Sequence, residues 1–573
     1  MASTFGGIET AKSGLVAART NIDVTGHNIA NVNTPGYTRQ RVITSAREPG
    51  QGTYLISQFY NKRVGQGVDI LEIQQLRSSY LDQQYRDLNS NYMHSDRRVQ
   101  GLTYLEGLLN ELNVESSLTT SIENFFSALN MFSSDTSSVE FRTNVQQQAL
   151  SMTNNFNIIY EEMIDLWHTQ NESISVVANR INAIAKELKH LNEAIASYER
   201  SGQIANDLRD ERNLLLDELS GLANITYSIN SDNPSMLDVK IGGLGLVTGN
   251  QFNQITISNP SSHIEDINEI INNMAQINAQ ILEDPGFDDG GQIENYVENL
   301  KNLLGEYGQV DSIENSDGTT SVEFNGILLV DGAKACGDTV EAWVAFNRNY
   351  LTLDNGALGR EAGTITGGQL YAHMEMITET GPNNSGIPYY MNQLNSLARE
   401  IAKNINEIHY RGYTYPGATK DTEVSFFEVP DGGYSQITAG NFTLSEDILS
   451  NVYNIAGSSE PVTLNDGVTE TGNNIIALEL FNDLNSSNYY GKLNSIVGHL
   501  AIAIDSSRSI LDTRESLINS VDRQRTSISG VDLDEEATNL IVFQQSFDAC
   551  ARIITTIDEM LNTMINNMGR VGR

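Results

Sequence analysis

The chain is poor in the residues that staple, span or catalyse. Its 573 residues include two cysteines, Cys336 and Cys550. Two thiols so far apart make no disulfide framework, and no CxxC pair or Cys/His cluster accompanies them. Positive charge is scarce: 35 Lys and Arg stand against 73 Asp and Glu, a formal net charge of −38. Such a surface repels phosphate backbones and anionic lipid, so nucleic acid is not an expected partner. No apolar run nears the ~18 residues that cross a bilayer, so no membrane insertion is expected. The opening MASTFGGIETAKSG has no basic stretch ahead of an apolar core, and a cleaved secretory signal is not expected.

Catalytic constellations are missing as well. The histidines are His27, His94, His168, His190, His263, His373, His409 and His499, and none forms an HExxH pair or similar metal spacing. The string GGLGLVTGN, with Gly243, Gly245 and Gly249, imitates a dinucleotide loop, but strand signals surround it and it reads as a β turn. EDPGFDDGG lacks the Asp/Asn alternation and the Glu of a calcium loop and reads as a solvated turn. Asp534, Glu535 and Glu536 precede a helix, where carboxylates favour the positive end of the dipole. No catalytic, metal-binding or cofactor-binding residue is expected, and the chain does not read as an enzyme.

What is present lies at the two extremities. Ile8, Ala11, Leu15, Ala18, Ile22, Thr25, Ile29 and Val32 recur at alternating spacings of three and four. Leu540, Phe543, Phe547, Cys550, Ile554, Ile557, Leu561, Met564 and Met568 do the same, all apolar. Both are narrow heptad seams of the coiled-coil type, made for helices that pack side by side. Cys550 on the seam reads as a small hydrophobe. Burying such a seam could contribute on the order of 15 kcal/mol before ordering entropy is subtracted. A lone helix in water is marginal, so the ends are expected to fray in a free molecule and to order when packed. Their partners would be each other and copies in neighbouring molecules, although amphipathic ends also dock on their own domain.

Between the first seam and an alternating run stands TGHNIANVNTPGYTRQRV, crowded with Asn28, Asn31 and Asn33. Two readings are open. Asn amides beside a seam can fix register between neighbouring subunits at a cost in stability. Equally, Asn followed by Thr34-Pro35-Gly36 is ordinary helix-end punctuation.

NIDVTGHNIANVNTPGYTRQ resembles the N-terminal signature of bacterial flagellar rod, hook and hook-associated proteins, carried by Asn28, Ile29, Ala30, Asn31, Asn33, Thr34, Gly36, Tyr37 and Arg39. NDLRDERNLLLDELS, ITGGQLYAHMEM, MNQLNSLAREIAKNINEIHYRGY, SFFEV and GNNIIALEL follow in order and are similar to motifs of the hook–filament junction family. SGVDLDEEATNLIVFQQSFDACARIITTIDEML resembles the C-terminal signature of the same class. Within NDLRDERN, Arg209, Asp210, Glu211 and Arg212 read as a solvated, ion-paired helix surface.

The resemblance implies a structural subunit of the flagellum that joins hook to filament, an exported protein outside the cell. Its implied partners are copies of itself in a ring, the hook protein, a second junction protein, an export chaperone on the C-terminal seam, and the type III export apparatus. The implied interface residues are Ile8, Leu15, Ile22, Asn28, Ile29, Asn31, Asn33, Thr34, Pro35, Gly36 and Tyr37 at one end and the seam from Leu540 to Met568 at the other. A hook or rod subunit, or an axial subunit whose outer domain adds adhesion, are the alternatives.

The expected fold is mainly α with a β-rich central outer domain, in a nested, flagellin-like axial architecture with long terminal helices. Residues 1–45 and 530–573 would form the terminal layer. Residues 46–225 and 375–529 would form a long-helix bundle, with some β and loop at 412–470. Residues 226–374 would form the outer domain, where NITYSIN, MLDVKIG, TSVEFNGILLV and EAWVAFNRNYLTLDNG read as β. A helical hairpin at about 262–310 would be inserted in it, its first helix faced by Ile264, Ile267, Ile271, Met274, Ile277 and Ile281.

Overall fold

A computed structural model describes residues 4–47, 65, 67–109, 117–284, 286–287, 289–353, 356–358, 365–415, 424–430, 433–461, 464–465, 468–469 and 473–567. In chain order the elements begin α1 (Thr4–Ala30), β1 (Gln40–Ala46), β2 (Val68–Gln75), α2 (Ser79–Leu109), α3 (Leu118–Ser134), α4 (Val139–Glu199) and α5 (Asn206–Leu222). There follow β3 (Ile225–Ile229), β4 (Leu237–Ile241), β5 (Leu244–Thr248), β6 (Gln251–Phe252), β7 (Ile255–Ser258), α6 (Ile264–Glu283) and α7 (Gln292–Leu304). Next are β8 (Val310–Glu314), β9 (Thr320–Phe324), β10 (Ile327–Asp331), β11 (Lys334–Ala335), α8 (Val340–Asn347), β12 (Tyr350–Leu353) and β13 (Gly356–Leu358). The chain closes with α9 (Gly368–Thr378), α10 (Ile387–His409), α11 (Glu446–Ser450), β14 (Leu464–Asn465), β15 (Val468–Thr469), α12 (Ile475–Ser487), α13 (Tyr489–Ser529) and α14 (Leu533–Asn562).

The fold is mainly α with small antiparallel sheets, and it is nested. One compact unit gathers residues 1–92, 181–254 and 514–573; the other gathers 93–180 and 255–513. Helices α2, α4 and α13 contribute residues to both. Few prolines make such lengths possible: α4 runs 61 residues without a break.

In the first unit, β1 and β2 pair antiparallel from Gln40↔Gln75 to Ala46↔Val68 with one bulge, and β3 to β6 form a sequential meander. The second unit is built on α10, where Leu394, Leu397, Ile401 and Ile405 keep their apolar period and are buried. Phe125 of α3 packs on Phe126 and on Phe426 and Phe427 from the loop after α10, and Phe156 of α4 packs on Phe442; all six are buried. Trp167 packs on Trp343 with ring centroids 4.6 Å apart.

Three expectations change. The strands of 226–374 do not make one domain, because β3–β6 belong to the first unit and β8–β13 to the second. EAWVAFN is not a strand: Thr339 caps it by accepting from the Ala342 amide, and it winds into α8, whose Ala342, Ala345 and Phe346 join the buried cluster of α6, α7, β9 and β10. Within the span 46–225 expected to form a long-helix bundle, residues 68–75 are strand β2, and the first long helix, α2, begins at Ser79. Helices α6 and α7 occupy the span read as a helical insertion.

Candidate functional site: the paired chain ends

Helix α1 and helix α14 lie against each other. A methyl group on Gly7 would stand 3.1 Å from Ile557 Cδ1, and one on Gly14 2.9 Å from Cys550 Sγ. The Asn28 amide reaches Glu536 Oε2 at 3.2 Å. Each step along α1 is matched by an equal step back along α14, so the pair is antiparallel and in register over its length. At the two glycines, one heptad apart, a side chain of α14 occupies space that a Cβ on α1 would crowd.

The seams are only partly covered. Ile8, Leu15, Ile22, Ile29 and Val32 are half-buried, whereas the small residues Ala11, Ala18 and Thr25 are buried. On α14, Leu540, Phe543, Phe547, Cys550, Ile554, Ile557 and Leu561 are all half-buried, and Met564, in the helical turn Thr563–Asn567 that follows it, is exposed. Met568 lies outside the described residues. Beside the seam a second set of apolar side chains, among them Val542, Ile553, Met560 and Ile565, stands open to solvent.

One end of this greasy pair is closed by a polar latch. Asn28 is buried, and its carboxamide is fully used inside the chain. It donates to Gln40 O at 2.9 Å and to Glu536, and accepts from Tyr37 Oη at 2.8 Å and from the Gln40 amide at 3.0 Å. Arg39 grips the first turn of α14: Nε donates to Glu536 Oε1 at 2.6 Å, and its two terminal nitrogens donate to Glu535 at 3.0 and 2.7 Å. Asp532 caps that turn by accepting from the Asp534 and Glu535 amides. The Arg39 guanidinium holds the Glu535 carboxyl below its ordinary value.

A second layer ties the latch to α5. Asp210 accepts from the Thr38 amide at 2.9 Å and from Thr38 Oγ1 at 2.5 Å. Burial pushes its pKa up to about 6, against the pull of those donors and of Arg77. Asp217 bridges Arg86 Nε at 2.7 Å and an Arg525 nitrogen at 2.6 Å, with Arg86 stacked over Tyr227 and Arg525 over Tyr85. Breaking one member of such a buried network strands the others.

These positions revise the sequence reading. Asn28 is neither helix-end punctuation nor, in this chain, free to set register with a neighbour; its hydrogen bonds close within the molecule. Asn31 caps locally, donating to His27 O at 3.0 Å, while Asn33, Thr34, Pro35 and Gly36 are exposed and Gly36 takes a left-handed φ of 79°. Asp210 and Arg212 are not a solvated surface: both are buried, and Arg212 donates to Asn192 Oδ1 and Ser235 O. Their partners lie far away in sequence, so spacing alone could not reveal them. The one available signal was the bare fact of charges filling the gap between leucines of α5.

Paired seams with an open flank and a salt-bridged latch are the features of a structural subunit. A family of this class is shown by the sequence: the family described as Flagellar hook-associated protein FlgK helical domain matches residues 102–263 and 258–427. The chain belongs to that family. At its ends, the family described as Flagella basal body rod protein matches residues 8–38, and Flagellar basal body rod FlgEFG protein C-terminal matches 523–568. The chain is 27% identical to Flagellar hook-associated protein 1 of Bacillus subtilis (strain 168), over 100% of both. It is 22% identical to the protein of the same name from Escherichia coli (strain K12), over 98% of this chain and 99% of that one. The solved structure of the flagellar hook junction protein FlgK from Burkholderia pseudomallei is similar at a TM-score of 0.49 and 12% identity, covering 78% of this chain and 100% of its own.

Proposed function

We propose that this structural subunit of the flagellum joins hook to filament through its paired ends, and that packing, not turnover, is its mechanism. The observation that carries the reading is the incomplete cover of the two seams. Every large apolar residue on the α14 seam keeps part of its surface in water even when paired with α1. Adding further helices from neighbouring copies would remove that surface from water, at roughly 25 cal/mol per Å². The latch fixes the angle at which the pair leaves the unit, so that each copy presents the same flank to the next.

On this reading the copies form a ring in the axial structure, with the hook protein on one side and a second junction protein on the other. The protein reaches its extracellular place through the type III export apparatus without signal cleavage. An export chaperone covers the α14 seam beforehand, since an exposed seam from Leu540 to Met564 is an aggregation hazard. Removing residues 540–573 should then leave a folded body that neither assembles nor holds the chaperone.

The test is position and assembly together. Labelled protein seen by electron microscopy on intact flagella should sit between hook and filament, and Leu561→Asp should abolish its incorporation. Label along the rod or the hook, or normal incorporation of Leu561→Asp, would sink the proposal.

A further inference from the structure

Two parts of the chain share one wiring. In the first unit, β4 and β5 pair as Val239↔Val247, Lys240↔Gly245 and Ile241↔Leu244, with a bulge after Val239. In the second, β9 and β10 pair as Val322↔Val330, Glu323↔Leu328 and Phe324↔Ile327, with the bulge at the same place. Every residue of the second set lies 83 positions after its counterpart. The outer ladders agree as well: Thr248↔Gln251 answers to Asp331↔Lys334, and the five pairs from Ile225↔Ile241 to Ile229↔Leu237 answer to Val310↔Phe324 through Glu314↔Thr320. Both tight turns are left-handed twice over, Gly242–Gly243 at φ of 53° and 84° and Asn325–Gly326 at 52° and 79°.

The side-chain bonds repeat too. Asn192, buried on α4, donates to Leu237 O and Gly249 O and accepts from the Leu237 amide. Asn278, buried on α6, donates to Thr320 O and Gly332 O and accepts from the Thr320 amide. Asn230 reaches Asp238, which accepts from the Gly249 amide; Asn315 reaches Ser321, which accepts from the Gly332 amide. Around the two pinning asparagines the helices keep the same apolar positions: Ile181, Ala185 and Leu188 on α4 answer to Ile267, Ile271 and Met274 on α6, and all are buried. A general fold does not repeat bulge, turn and buried amide in one register.

We infer that residues 264–335 are a second copy of the helix–helix–meander module of residues 181–252, kept for its fold and released from the work of the first. The second copy has its own core: the cluster that holds Ile271, Leu300, Val322 and Phe324 draws all its buried members from between Ile267 and Tyr350. The strands on either side of it, β7 and β12, pair with Ser258 opposite Tyr350 in a three-stranded sheet completed by β13. The residues that anchor the first copy to the latch have no equivalents in it. By the 85-position offset of the outer strand, Asp207, which accepts from Gln40 Nε2 at 3.0 Å, and Asp210 and Asp217 correspond to Gln292, Asn295 and Asn302, which are exposed. The fold-making residues were retained and the anchoring carboxylates were not, so the second copy takes no part in holding the chain ends. That last step rests on the assembly role proposed above.

Hydrogen exchange on the full chain tests the duplication. Asn278→Ala should quicken exchange of amides in 310–335 by about tenfold or more, as expected when buried backbone groups lose their partner, and leave 225–252 unchanged. Asn192→Ala should do the reverse. Replacing Thr320–Lys334 by a copy of Leu237–Gln251 should leave 264–350 folded, because Val239, Ile241, Leu246 and Val247 then fill the places of Val322, Phe324, Leu329 and Val330. Exchange that rises equally throughout, or a transplant that unfolds 264–350, overturns the inference. The division of labour is read by motility: Gln292→Ala with Asn295→Ala and Asn302→Ala should leave it intact, while Asp210→Ala with Asp217→Ala should abolish it. Loss of motility in the triple variant overturns the division of labour; retained motility in the double variant, with the exchange results intact, fails the assembly role alone.

Discussion

The ends of the chain and the aromatic centre of the second unit are held by opposite means. Around Phe426 and Phe427, rings interlock at centroid distances of 4.6 to 6.1 Å, and both side chains are wholly buried. Asn406, also buried, serves their backbone by accepting from both amides and donating to Phe427 O. Along α1 and α14 the apolar side chains are left half-covered, and fixed geometry comes from Asn28, Arg39 and two carboxylates. A closed core needs no partner, whereas a surface that, on the proposed role, copies of the chain would cover must be shaped beforehand. The contrast is sharpest where it can be broken one residue at a time.

The largest effect should come from the closed core. Phe426→Ala removes a ring that touches Phe125, Phe427 and His409. It should cost about 3–5 kcal/mol, read as a lowered denaturation midpoint and faster hydrogen exchange in α3 and α10. Exchange within α5 and the first turn of α14 should stay as it was.

Acid should move the two regions in opposite directions by comparable amounts. His409 is buried, its Nδ1 facing Val424 O and its Nε2 accepting from the Ala456 amide, and burial lowers its pKa to about 4. Between 6.5 and 4 the unfolded chain takes up a proton that the folded one refuses. Its contribution is therefore whole above pH 6.5 and is lost as pH falls towards 4, by about 3 kcal/mol. His373, lowered to about 4 by burial and by Arg97, acts in the same sense. Asp210 is raised to about 6, so the folded protein takes the proton first and the latch gains stability as pH falls from 6 towards the ordinary aspartate value. Exchange protection should fall in α10 and rise in α5 between pH 6.5 and 5, and Asp210→Asn should flatten the second response alone.

Asn28→Ala comes next. It leaves the Gln40 amide and the Tyr37 hydroxyl without the Asn28 acceptor and takes one donor from Glu536, which keeps Arg39, at about 2 kcal/mol. The loosening should be confined to 28–40 and the start of α14 by hydrogen exchange. Spread into the second unit would show that the latch and the closed core are one cooperative body.

The two regions also differ in how far they can be read from sequence. The seams are visible because heptad spacing is a local property, and so is the apolar face of α10. The latch is not: Thr38 meets Asp210 and Asn28 meets Glu536 only after long excursions of the chain, and a charged stretch such as DLRDERN looks the same whether solvated or buried. Thr339 and α8 were lost for a different reason. In EAWVAFN the apolar residues fit a period of two about as well as a helical one, and only the cap and the facing Trp167 decide. The duplicated module was within reach, since SINSD with DVKIGGLGLVTGNQ and SIENSD with SVEFNGILLVDGAK align by eye. Their core positions are alike, and it is the anchoring positions that diverged.

The smallest effect on folding should accompany a complete loss of assembly. Met560 is 58% exposed and Ile565 73% exposed, beside the seam and turned away from α1. Replacing either by Ser removes little that the free molecule buries, so its stability should change by no more than about 0.5 kcal/mol. In a ring the same side chains would be covered by neighbouring copies, and each lost burial would recur at every interface of the ring. The double variant Met560→Ser with Ile565→Ser should therefore melt like the parent and still fail to support a filament. A variant that melts like the parent and builds normal filaments would show that this flank of α14 and of the turn after it stays in water in the assembled flagellum, and the interface would then have to lie on the half-buried seam alone.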